Sequence, residues 1–372
     1  MKLGPQPRPV RPNESNGYSM FATFRSRSLL VLAAFTLAAC GEETALPADL
    51  STAEATEDIE ITSAAFEAEA TTSLVDLGLS IDDALIAAGA APTLASVVAA
   101  GPMAPSPTGS VVEGVERASG SPMSALPAAV LGKIFEWDLV DGRYEMTERV
   151  GAPQNGVRFI LYEIDSLTLE PAEPLVEVGH VTITLGGPAS TPSGAVTVRN
   201  MAGTTVFEYT ISRGGTAAIP SYNVAGSAGT GPYSATFSLT VGVNLISQNV
   251  TAVWRTEVAA RSLTTRTTLG VNPNTNAITL TGVMQRGLRR VEISGTFNVS
   301  LGGQLTVKVG NKTFARIVID AERGLTITNP DGEPLTVEEE ETLEHIFRWF
   351  ESSLTWYNAV IDPVRSVLEM DS

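Results

Sequence analysis

The chain has 372 residues, with 24 Lys and Arg against 41 Asp and Glu, a formal net charge of −17, and one cysteine. So acidic a balance disfavours nucleic-acid binding, because phosphate contacts need clustered Lys and Arg. With only His180 and His345 beside that cysteine, the sequence offers no ligand set for zinc.

Residues 1–19 are proline-rich and polar and read as untranslated or without function. From Met20 the chain has basic Arg25 and Arg27, an apolar run from Leu29 to Phe35, and then small residues up to Cys40. That order is the layout of an export signal. The run is too short to span a bilayer, which takes roughly 20 apolar residues. Leu37-Ala38-Ala39-Cys40 resembles the lipobox of bacterial lipoproteins. The resemblance covers the stretch from Met20 to Cys40 and implies that residues 20–39 are a signal peptide cut before Cys40. It also implies that acyl chains on Cys40 anchor the protein to a membrane. Two or three chains on one residue suffice for stable attachment. In that family an aspartate directly after the cysteine retains the protein at the inner membrane. Gly41 and Glu42 stand here instead, which implies the outer membrane, with the folded part in the periplasm or at the cell surface. The alternative is a cleaved secretory peptide or a short core helix with an incidental buried cysteine.

Removing residues 1–39 takes away five basic residues and one acidic residue, so the mature charge moves from −17 to −21. No Lys or Arg occurs from Gly41 to Glu116, while Glu42, Glu43, Asp49, Glu54, Glu57, Asp58, Glu60, Glu67 and Glu69 are acidic. A run of one charge sign stays solvated, and residues 40–73 therefore read as a disordered tether. A flexible chain of that length has an end-to-end distance of about 30 Å. Capture of Ca²⁺ or of a basic partner by the acids is the other reading.

Residues 74–127 are Ala-rich and then rich in Pro, Ser and Gly. Leu77, Ile81 and Leu85 recur at helical spacing, which predicts a short helix over 80–89, with a second apolar stretch at 94–100 and a linker over 101–127.

Over 128–330 the hydrophobic period is two. In "VEISGTFNVSL" Val291, Ile293, Gly295, Phe297, Val299 and Leu301 share one face, and "ATFSLTVGVNL" repeats the pattern with Phe237, Leu239, Val241, Val243 and Leu245. Further runs lie at 133–139, 143–149, 157–164, 179–185, 195–200, 205–212, 250–258, 262–269, 277–284, 304–309 and 313–319. Turns such as Gly310-Asn311 and Asn272-Pro273-Asn274 leave no room for crossover helices, so neighbouring strands should pair as hairpins. The predicted class is mainly β, an antiparallel meander sheet (a curved sheet, half-barrel or sandwich) covered by a C-terminal α-helix.

Residues 331–372 supply that helix. Asp331-Gly332 is a turn, and Thr336 with Glu339 has capping-box spacing. Leu343, Ile346, Phe347, Phe350, Leu354 and Tyr357 form one apolar stripe flanked by Trp349 and Trp356. Of these, Ile346, Phe347, Phe350, Leu354 and Tyr357 are the candidate face for packing on the sheet or for a hydrophobic ligand.

No catalytic constellation emerges. His180 alternates with Thr182 and Thr184, and His345 lies on the glutamate-rich side of the last helix. There is no Gly-x-Ser-x-Gly elbow, and "GSAGTGPYS" at 226–234 has the glycines of a nucleotide loop without its lysine, so it reads as a hairpin loop. Asn272, Asn274 and Asn276 lack the closing glutamate of a calcium loop and read as a turn. Arg286, Arg289 and Arg290 form the one basic cluster, expected to pair with the protein's own carboxylates. Cofactors, metals and nucleic acid are not expected. The expected partners are the membrane, through Cys40, and an envelope protein or lipid. The leading expectation is a non-enzymatic, lipid-anchored structural or interaction protein. The alternative is a carrier or sensor of a lipid or other hydrophobic ligand, with a cleft between sheet and terminal helix.

Overall fold

The computed structural model of the chain describes residues 52–88, 126, 128–186, 193–216, 218–298, 301–320 and 324–361, the last twelve of these as backbone only. The signal peptide, Cys40, the apolar stretch at 94–100 and all but Leu126 of the 101–127 linker lie outside the described residues. The strands are β1 (Ile134–Asp138), β2 (Arg143–Thr147), β3 (Gly156–Tyr162), β4 (Glu177–Gly186), β5 (Ser193–Asn200), β6 (Thr205–Gly215), β7 (Pro220–Ala228), β8 (Ala235–Asn244), β9 (Asn249–Val258), β10 (Leu263–Asn272), β11 (Ala277–Arg286), β12 (Arg289–Asn298), β13 (Gly302–Val309), β14 (Lys312–Asp320) and β15 (Gly324–Thr328). All fifteen belong to one open sheet, in which each strand from β3 to β15 pairs with its neighbours in sequence. Those pairings are antiparallel; the exception to a pure meander is β1, which pairs parallel to β3 and carries β2 as the edge.

Alternation explains why these segments are strands. In β8, Phe237, Leu239, Val241 and Val243 are buried while Thr236 and Thr240 are exposed. In β12, Val291 and Ile293 are buried, as the period of two predicts. Leu245 and Leu301, assigned by the same count to the inner face, lie past the ends of their strands and are exposed. Hairpin chemistry matches the turns: Gly310 takes φ +59° between β13 and β14, and Asn272 Oδ1 accepts from the amides of Asn274 and Thr275 between β10 and β11. Bulges at Leu161/Tyr162, Val198/Arg199 and Val307/Lys308 interrupt the ladder, and such insertions bend and twist a sheet.

The described residues hold three α-helices, α1 (Thr52–Ala64), α2 (Glu69–Ala87) and α3 (Val337–Ile361); α1 and α2 touch strands of the sheet, and α3 packs against α1 and α2. The first corrects the sequence reading, since residues 52–73, expected as tether, are helical and in part buried. The helix expected over 80–89 begins eleven residues earlier, at Glu69, and ends at Ala87. In turn α2 touches β2, β3, β4, β5 and β6. A 19-residue helix is about 28 Å long. That length matches about five interstrand spacings of 4.8 Å, so α2 runs across the strands, not along one.

Candidate functional site

The helix layer and the sheet face beneath it are where the predicted site residues fall. On α2, Leu74, Leu77, Ile81 and Leu85 recur at i, i+3, i+7 and i+11 and are each no more than 1% exposed. Each such side chain contributes about 1.5–3 kcal/mol by leaving water. Between α1 and α2 the chain drops Phe66 onto the sheet, with its ring 6.3 Å from that of Phe207 and 6.1 Å from that of Phe237. Phe237 stacks in turn on Phe207 and Trp254, at 5.4 Å each, so one aromatic column joins the helix link to β6, β8 and β9. The approach is close enough to demand glycine below it. Gly229, at φ +74°, would place a Cβ 2.7 Å from the Ala65 carbonyl oxygen.

A second anchor is ionic. Asp58 of α1, 1% exposed, accepts from Arg286 (3.0 Å) and from Arg289 on the β11–β12 hairpin. Glu57 pairs with Arg286 at 2.8 Å and Glu54 with Arg289 at 2.9 Å. The hydrogen bond from Arg286 holds the Glu57 carboxyl below its ordinary range, and the same contacts raise the Arg286 guanidinium further above its own. The expected pairing of the basic cluster with the protein's own carboxylates is met, since Arg290 also binds Glu292 on its own strand.

Helix α3 starts as its sequence predicts. The Glu339 side chain accepts from the Thr336 amide at 2.8 Å, and the Thr336 hydroxyl accepts from the Glu339 amide at 3.3 Å. Beyond the cap, Leu343, Ile346 and Trp349 are buried, with Trp349 fully so, while Phe347 is only partly covered. The buried stripe is thus turned toward Trp349, which sequence reasoning had placed on the flank. Its nearest helical neighbours are α1 and α2. Phe350, Leu354 and Tyr357 lie on the helix, with side chains outside the described residues.

Asp58 and Phe66 are the buried residues that the sequence does not single out, and Trp349 is one that it places only on the flank of the stripe. The buried positions Asp58, Ile61, Thr62, Ala65 and Phe66 do carry helical spacing, but with a charge and a hydroxyl among them no hydrophobic stripe stands out.

His180 sits half-buried on the uncovered face of β4 opposite Arg199, and burial, then Arg158, Arg199 and Arg149, lower its affinity for a proton. The Thr56 hydroxyl lies 3.5 Å from both ring nitrogens of His345. Among the described residues no group of three or more His, Cys, Asp and Glu is arranged to hold a metal, and no helix is long and apolar enough to cross a membrane. Comparison with protein families, characterised proteins and solved structures finds no match to this chain.

Proposed function

We propose that this chain is a non-enzymatic envelope lipoprotein, held at the bacterial outer membrane by acyl chains on Cys40, which presents the polar face of its sheet to another envelope component. The observation that carries the reading is the packing of the helix layer. Phe66, Leu74, Leu77, Ile81 and Leu85 are each at most 1% exposed, and they interlock with the sheet as a core does. A carrier needs room at that interface, whereas a scaffold needs it filled. The uncovered face is built to stay wet, with outward Thr, Ser and Asn such as Thr182, Thr197, Ser227, Thr236 and Thr264 running strand to strand. Eleven residues lie between Cys40 and the start of α1 at Thr52, and fully extended this stretch reaches at most about 40 Å. The domain therefore works close to the membrane surface.

Intact-mass measurement of the membrane fraction tests the anchor. The parent protein should begin at Cys40 and carry acyl chains, and Cys40→Ser should accumulate as a precursor without them. Fatty acid on the Cys40→Ser protein would overturn the reading. The presentation role is tested separately, by mass spectrometry of what leaves the membrane with the detergent-extracted protein. A stoichiometric lipid inside the domain would favour the carrier in its place.

A further inference from the structure

On the uncovered face, β8 to β12 form a groove of about 380 Å³ lined by Arg255, Arg266 and Arg290 together with the side chains of Ser238, Thr240 and Val283. Arg255 and Arg266 are directly opposite each other on β9 and β10. Like charges so placed, with Cβ atoms about 5 Å apart, destabilise a sheet. In a chain with 41 acidic residues against 24 basic ones, such a pairing does not follow from composition.

Carboxylates resolve it only in part. Arg255 reaches Glu257 on its own strand at 3.4 Å, and Arg290 reaches Glu292 at 2.9 Å. Among the described residues Arg266 makes no ion pair. The contrast lies a few residues away, where Arg286 and Arg289 are each clamped by acids of α1. Val283, opposite Arg266 on β11, and Val253 on β9 are the short apolar side chains of the lining, and Val283 leaves space between the longer arginines.

We propose that this groove binds a phosphate-type oxyanion. The guanidinium fork matches such oxygens in pairs. Three arginines on three different strands suit a tetrahedral group with oxygens facing several ways, whereas the two coplanar oxygens of a carboxylate occupy a single fork. The hydroxyl of Ser238 supplies a neutral donor at one side of the groove, whereas that of Thr240 already donates to Asn223 Oδ1 at 3.1 Å. The bound anion relieves the Arg255–Arg266 repulsion, so binding and stability are linked. The site does not depend on the anchor at Cys40.

The test is calorimetric titration and thermal unfolding of the full chain purified in detergent, with inorganic phosphate and glycerophosphoglycerol as separate probes. One or both should bind saturably and raise the melting temperature. Arg266→Gln and Arg255→Gln should each weaken that binding about tenfold or more, the worth of a charge-assisted hydrogen bond. Arg143→Gln on the edge strand β2, the same change of charge, should leave it intact. Without anion, Arg266→Gln should melt at or above the parent temperature, because it removes repulsion. Tighter binding of the phosphodiester assigns a lipid headgroup, and tighter binding of inorganic phosphate assigns the free ion. Saturation by neither probe overturns the site, as does equal weakening by Arg143→Gln or a lowered anion-free melting temperature in Arg266→Gln.

Discussion

Helices α1 and α3 both open in acidic sequence, and they neutralise it in different ways. Glu338 to Glu341 of α3 lie at the positive end of their own helix dipole, and Glu339 closes a capping box with Thr336, three residues away. Glu54, Glu57 and Asp58 of α1 are neutralised by Arg286 and Arg289, about 230 residues further along the chain. Local compensation is visible in a short window of sequence. Long-range compensation leaves the same window looking like a solvated, disordered run. A one-sign charge run therefore argues for disorder only where the rest of the chain holds no cluster of the opposite sign, and here the one basic cluster was the missing partner.

The largest effect tests whether the two helices share one core. Trp349→Ala removes a fully buried indole beside α1 and α2 and should cost about 3–5 kcal/mol in denaturant unfolding. A cost near zero would mean that α3 stands apart from the layer. Next, Asp58→Asn weakens two charge-assisted hydrogen bonds at a buried position and should cost about 2–3 kcal/mol, less than a fully buried pair because Arg286 keeps some contact with water. A double-mutant cycle with Arg289→Met should show strong coupling. Hydrogen exchange should show the α1 amides protected in the parent and opened in Asp58→Asn, whereas equal exchange in both would restore the tether reading. On the α3 side, Thr336→Ala removes the cap and should cost about 1 kcal/mol.

The smallest effect belongs to neither helix. His180 takes up its proton below its ordinary value of 6.5, through burial and then the neighbouring arginines. The folded state thus binds fewer protons there than the unfolded chain does. The associated stability is present above about pH 6.5 and declines as pH falls through the lowered value. His180→Gln should flatten that decline, and NMR titration of the ring should place His180 below 6.5. A value above it would mean that the arginine field is screened away.

How much of this was legible follows the same division between local and distant. The period of two found thirteen of the fifteen strands. It missed β7, where Gly226 and Ala228 sit in a stretch that read as loop, and the five-residue β15. The meander followed from short connections, but the parallel contact of β1 with β3 has no local signature. The cap of α3 was legible because Thr336 and Glu339 recognise each other. The rotation of its stripe toward Trp349 was not, because it depends on where α1 and α2 lie. Phe66 gave no cue at all, since its partners Phe207 and Phe237 come together only in the sheet.

The central claim is that the helix layer seals the covered face of the sheet and leaves the work to the other face. Titration of the delipidated protein with a fluorescent fatty acid tests it most directly. No saturable binding is expected at micromolar concentration, with the parent and Phe347→Ala behaving alike. Saturable uptake by the parent that Phe347→Ala abolishes without a change in melting temperature would contradict it and make α3 the lid of a lipid cleft.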